Sequence, residues 1–231
     1  MKTNKLIVLL ALLSLVSCGK DSGGGSSKSG AKETQSAFME LVEATPGTYY
    51  GVLRPVNFHS NGFIPYGMAT FTLKEDQLQV STTMDDDQAV PHRQTLHLGT
   101  RCPSLSDDTN GDGFIDYQEA QAVVGPVLVP LDNDLNSQKA GEDVFPRGPG
   151  MTYNKTASLQ KINTDLWQAD EDPSDNVIKL ENNKGIGFEN RVVLIHGTTS
   201  GSQLPSSLAS YKDEEANISL PVVCGVLKKI D

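Results

Sequence analysis

Asp108, Asn110, Asp112, Asp116 and Glu119 place oxygen-bearing side chains at positions one, three, five, nine and twelve of the stretch Asp108-Thr109-Asn110-Gly111-Asp112-Gly113-Phe114-Ile115-Asp116-Tyr117-Gln118-Glu119. The spacing fits the calcium-loop pattern D-x-[DN]-x-[DN]-G-x₅-E without a gap. Calcium is a hard cation that takes about 6–8 oxygen ligands in flexible geometry. The alternate side chains at 108, 110 and 112 supply oxygens as the chain curls. Gly113 permits the sharp turn that brings the later ligands back, because it alone adopts the left-handed backbone without steric cost. The Phe114 carbonyl adds a ligand, Asp116 binds directly or through water, and Glu119 closes the set with both carboxylate oxygens. Ile115 is the apolar tether of the loop.

The plain alternative is an acidic surface turn, since Asp, Asn and Gly form turns in their own right. Four carboxylates gathered so closely without a cation would repel one another, and the glycine and the glutamate at their fixed offsets are separate requirements. Calcium is therefore the expected cofactor. The flanks depart from a full EF-hand. Cys102-Pro103-Ser104 leaves no room for an entering helix, while Tyr117–Val124 predicts a short exiting helix stopped by Gly125-Pro126. No second loop of this type occurs in the sequence, so the chain predicts one EF-hand-type loop inserted into another fold.

The elements around the loop must position it. The chain has 231 residues, 37% of them hydrophobic, and a formal net charge of −10. That length predicts one domain with appendages and a core of useful size. The negative balance excludes nucleic acid as a partner, because phosphates would be repelled.

The first 17 residues predict a signal peptide. Lys2 and Lys5 precede the apolar run from Leu6 to Val16, too short for a good spanning helix. The run ends in Leu15-Val16-Ser17-Cys18, which resembles the lipobox of bacterial lipoproteins. That resemblance implies cleavage before Cys18 and acylation of Cys18, and hence a membrane partner through a lipid anchor. Gly19 in place of aspartate favours the outer membrane of the bacterial cell envelope, if the source is Gram-negative. Loss of residues 1–17 removes Lys2 and Lys5 but no acid, so −10 becomes −12. Residues 18–46 read as a lipid-anchored flexible linker. Gly19–Gly30 is rich in Gly, Ser and Lys, and Ala31–Ala44 predicts a short helix with Phe38, Leu41 and Val42 on one face, stopped by Thr45-Pro46-Gly47.

Residues 47–231 read as all-β. Thr48–Leu53 is a candidate strand. Gly67–Leu73 alternates, with Ala69, Phe71 and Leu73 on one side. Gln77–Thr83 repeats the pattern after Lys74-Glu75-Asp76, which predicts a hairpin. Arg93–Gly99, two short pieces within Thr156–Trp167, Val177–Leu180, Arg191–His196 and Pro221–Leu227 are further strand candidates. Gly125–Gly150, rich in Pro, Gly, Asp and Asn, reads as a long connection around Val127-Leu128-Val129. Many short strands with turns between them predict a sandwich or barrel.

Three separated segments together resemble copper/zinc superoxide dismutases and their chordin-type relatives: the hairpin Gly67–Thr83, Thr95-Leu96-His97 leading to Cys102, and Arg191–His196 leading to Val223-Cys224-Gly225-Val226. The resemblance implies a superoxide-dismutase-like Greek-key β-sandwich or barrel and a Cys102–Cys224 disulfide. Export of the chain points to the same pairing, with two free thiols as the alternative. It also sets His97 and His196 at the positions of two copper ligands. The remaining ligands have no counterparts. Thr95 stands where the first histidine of a His-x-His pair belongs, no histidine lies between His97 and His196, and no arginine lies between His196 and Cys224. Two histidines do not make a redox copper site. They read as strand histidines held by hydrogen bonds, with His92 or His59 as the extra ligands that a remnant transition-metal site would need.

The expectation is a lipid-anchored, calcium-binding envelope protein, not an enzyme, with no catalytic residue and a structural ion. The alternatives are a superoxide-dismutase-like metalloenzyme or metal carrier built on His97 and His196, and an adhesion module that uses residues 125–150 to contact an unidentified protein or glycan.

Overall fold

The alternation of apolar and polar residues in the central hairpin sets the architecture. In the computed structural model, residues 43–58, 62–138, 144–169, 178–199 and 204–231 are described. Residues 1–42 lie outside that set. The signal segment, Cys18, the linker and almost all of the Ala31–Ala44 helix therefore fall outside the described residues, as do His59, Val177 and residues 139–143. Among the described residues no helix is long and apolar enough to cross a membrane.

The strands are β1 (Gly47–Pro55), β2 (Tyr66–Lys74), β3 (Gln77–Asp85), β4 (Gln94–His97), β5 (Val127–Pro130), β6 (Met151–Ser158), β7 (Val192–His196), β8 (Pro221–Val226) and β9 (Lys228–Lys229). Among the described residues three α-helices accompany them: α1 (Tyr117–Val124), α2 (Leu159–Gln168) and α3 (Ala216–Ser219). The strands form one curled antiparallel sheet in the order β5-β4-β7-β8-β1-β2-β3-β6, and β9 pairs with β1. The chain is thus all-β with few helices.

β2 and β3 meet in register from Tyr66↔Asp85 to Lys74↔Gln77. Their inward residues Ala69, Phe71, Leu73, Leu78, Val80 and Met84 are buried, while Met68 and Gln79 face out. β1 changes partners along its length. Gly47–Leu53 pairs with β2, whereas Arg54 and Pro55 pair with Cys224 and Val223 of β8. At the centre of the core, Phe188 packs edge-on to Tyr49 and against Phe71, each with ring centroids 5.5 Å apart.

β7 is buried at all five positions because both of its faces are covered. Val193 and Ile195 join the main core with Val223. Val192 and Leu194 join a second cluster with Cys224, Ile115, Ala120 and Val124. The loop that carries Ile115 and the helix α1 therefore form a layer on the back of β7 and β8.

Three expectations need correction. Thr156–Trp167 is not two strand pieces, because β6 ends at Ser158 and α2 begins at Leu159. Ser158 caps that helix by accepting from the Lys161 N–H, and Ile162 and Leu166, one turn apart, are its buried residues. Ile178–Leu180 is not a strand, although the N–H groups of Ile178 and Leu180 donate to the carbonyls of Val127 and Leu166. Val127–Pro130 is more than a connection: it is a fully buried strand paired with β4.

Candidate functional site

The stretch from Asp108 to Glu119 curls because its short acids hydrogen-bond to backbone a few residues on. Asp108 accepts from the N–H groups of Gly111 at 2.7 Å and Gly113 at 2.8 Å. Asn110 accepts from Asp112 N–H at 2.9 Å, and Asp112 from Phe114 N–H at 2.9 Å. Gly111 and Gly113 have φ of 74° and 85°, so the turn needs glycine at both. The curl ends in a reciprocal cap on α1. Asp116 accepts from Glu119 N–H at 3.0 Å while Glu119 accepts from Asp116 N–H at 3.1 Å. α1 spans the predicted residues and stops at Gly125, whose N–H donates to the Gln121 carbonyl.

Two distant segments hold this loop. The carboxamide of Asn57 grips Ile115 on both sides: Oδ1 accepts from Ile115 N–H at 2.9 Å, and Nδ2 donates to the Ile115 carbonyl at 2.8 Å. Nδ2 also donates to the Pro221 carbonyl of β8 at 2.8 Å. From the C-terminal side, the Ser207 hydroxyl donates to Asp112 Oδ2, and Ala209 N–H donates to Asp116 Oδ2 at 3.0 Å. Burial opposes ionisation of Asp112, yet the bonds from Ser207, Phe114 and Asn110 outweigh it and hold the carboxyl below its ordinary value. Tyr211 packs against Tyr117 in a tilted pair at 5.1 Å, and the Arg93 guanidinium lies 4.1 Å and the Lys212 ammonium 5.1 Å from its ring centre. Arg93 also pairs with Glu214.

The donor set suits a hard cation, being carboxylate, amide and carbonyl oxygen throughout. Each carboxylate has about four lone-pair sites, and the amide bonds above use only part of them. The acids are not gathered on one point, however. Among the described residues no three His, Cys, Asp or Glu side chains group closely enough to hold a metal. Glu119 Oε1 is turned to the N–H of Thr109 at 2.6 Å, its hydroxyl at 2.9 Å and the N–H of Asn110 at 3.2 Å. Asp107, next to the loop, is engaged by Arg101 through two hydrogen bonds of 2.8 and 2.7 Å, which hold its carboxyl down to about 2.

Cys102 and Cys224 are joined in a disulfide, with Cα atoms 5.8 Å apart across 122 residues of sequence. Cys102 precedes the loop and Cys224 lies on β8, the strand that also receives Asn57.

His97 and His196 share the sheet face beneath the loop and α1, but at opposite ends of a strand pair. His97 lies across from Val192, four residues before His196 along β7, yet the two rings are near enough that the charge of His97 helps to lower His196. His97 lies between the Thr95 hydroxyl, 2.7 Å from Nε2, and the Gly125 carbonyl, 2.9 Å from Nδ1. His196 Nδ1 is 2.7 Å from the Ser219 carbonyl, and its ring faces Tyr117 at 6.0 Å. Burial pushes both imidazoles down, His97 to about 4 and His196 to about 3. His92 is fully buried, with Nε2 2.8 Å from Asp86 Oδ2 and Nδ1 3.1 Å from the backbone carbonyl of His196.

Sequence reasoning missed Asn57, Ser207 and Arg93. Asn57 is 58 residues from Ile115 and Ser207 is 95 from Asp112, so no local spacing marks either one. No protein-family model and no curated protein matches this chain.

Proposed function

We propose that this protein is a lipid-anchored, non-enzymatic component of the bacterial envelope whose 108–119 loop binds one calcium ion in a structural role. The observation that carries the reading is the twelve-residue ligand pattern itself, complete from Asp108 to Glu119. Further support comes from the positive φ at Gly111 and Gly113 and from the buried anchor at Ile115. The side chains of Asp108, Asn110, Asp112, Asp116 and Glu119 and the Phe114 carbonyl are the ligands. Bound calcium supplies positive charge that offsets the mutual repulsion of the four carboxylates. Anchorage rests on the lipobox-like Leu15–Cys18. The curled antiparallel sheet, the Cys102–Cys224 link and the paired strands β4 and β7 support reading the sheet as a superoxide-dismutase-like Greek-key sandwich.

Calorimetric titration of the full chain with calcium tests the reading. Extracellular calcium modules bind at roughly 10⁻⁴–10⁻³ M, and the expected Kd lies at or just below that range. Calcium at ten times Kd stabilises the native state by about 1.4 kcal/mol. The melting temperature rises accordingly, rises less with magnesium, and stays nearly flat in Glu119→Gln. Absence of binding heat, with melting unchanged in millimolar calcium, leaves the loop an acidic turn. Stoichiometric copper or zinc in the purified protein would favour a transition-metal role instead.

A further inference from the structure

Ile115 sits between two of the assigned ligands, the Phe114 carbonyl and the Asp116 side chain. Its own N–H and C=O are both taken by the Asn57 carboxamide. A primary carboxamide presents a donor and an acceptor side by side, which matches the N–H and C=O of one extended residue. The second Nδ2 proton goes to Pro221 of β8. Asn57 is itself 4% exposed, and the residue before it is fixed by the bond from Val56 N–H to the Val222 carbonyl at 2.8 Å. One buried side chain thus ties the midpoint of the loop to the sheet, in a protein whose described residues contain no second loop of the kind for it to pair with.

We propose that Asn57 is the positioning residue of the calcium loop, holding Phe114 and Asp116 in place before the cation arrives and so setting its affinity. The proposal rests on the calcium reading above. A loop pinned in advance loses less conformational freedom on binding and gains affinity by that saving. Residues that orient metal ligands from outside the coordination shell typically change affinity roughly 10–100-fold when removed. The hydrogen bonds of Asn57 to the loop go to the Ile115 peptide groups, through which it acts.

The test is calcium titration calorimetry on the full chain with Asn57→Ala, Asn57→Ser and a core control, Phe188→Leu. The expected result is a Kd about tenfold or more weaker in the Asn57 variants, a loss of ~1.4 kcal/mol of binding. Hydrogen exchange at the Ile115 amide should be faster in chelator. Phe188→Leu lowers the melting temperature but leaves Kd in place. If Asn57→Ala does not fold, Asn57→Ser carries the comparison. Wild-type binding with unchanged Kd in the folded Asn57 variants overturns the proposal and leaves the calcium reading standing. Equal Kd shifts in Phe188→Leu and the Asn57 variants overturn it too, since the effect would then be general loosening. A wild type that binds no calcium overturns both.

Discussion

Thr95 donates its hydroxyl hydrogen to Nε2 of His97 across 2.7 Å. The direction follows from the other side of the ring. The Gly125 carbonyl at 2.9 Å can only accept, so Nδ1 carries the proton and Nε2 is left as an acceptor. Thr95 thus completes the hydrogen bonding of the histidine two places on, whose neutral form is favoured by burial.

The neutral state of these rings predicts a pH dependence. Burial lowers His97 to about 4 and His196 to about 3, against an ordinary value of about 6.5. Between those limits the unfolded chain binds more protons than the folded one. The histidine contribution to stability is therefore whole above about pH 6.5 and is withdrawn as pH falls, at about 1.4 kcal/mol per pH unit per histidine. Denaturation midpoints at pH 7.5 and pH 5 should fall accordingly, and NMR titration should find neither ring protonated at pH 5.5. Titration of either ring near 6.5 would sink the argument. Thr95→Val strands a buried acceptor and should cost about 1–3 kcal/mol, with calcium binding unaffected.

The Cys102–Cys224 bridge spans 122 residues. By chain entropy, removal with paired serine substitutions should cost up to about 4–5 kcal/mol, read from guanidinium unfolding. Because Cys102 leads into the loop and Cys224 shares β8 with the Asn57 contact, calcium binding should weaken in the same variant. By linkage, calcium should then shift the thiol–disulfide equilibrium of the wild type toward the disulfide. Full alkylation of both cysteines in exported protein without reductant would remove the basis for both expectations.

Lipidation makes a separate prediction at Cys18. Metabolic labelling with a palmitate analogue should mark the wild type and spare Cys18→Ser, which should also leave the membrane fraction. Equal labelling of the two proteins would reject anchorage there.

Much of this fold is written locally. The β2–β3 hairpin could be read because Ala69, Phe71 and Leu73 alternate with polar partners, and α1 because Asp116 and Gly125 bracket it. α2 is obscured by Ile162 and Thr164, whose branched side chains suit strands. The signals that decide it are the Ser158 cap and the four-residue step from Ile162 to Leu166. β5 is hidden among prolines and glycines, and only pairing with β4 makes it a strand. At the site, the oxygen-bearing residues and their order are legible from spacing alone. The groups that hold them are not, since Asn57 and Ser207 reach the loop only when β1 and the 204–211 segment are folded against it.

Asn57 lies two residues past the end of β1, whose first residue, Gly47, is where the N-terminal part of the chain joins the sheet. The steps from Gly47 to Asn57, at about 3.3 Å each, make roughly 30 Å of extended chain. Anionic headgroups draw divalent ions into a diffuse layer that decays over about 8 Å at physiological ionic strength. The strand that leads to the Asn57 clamp is thus several times longer than the reach of that layer.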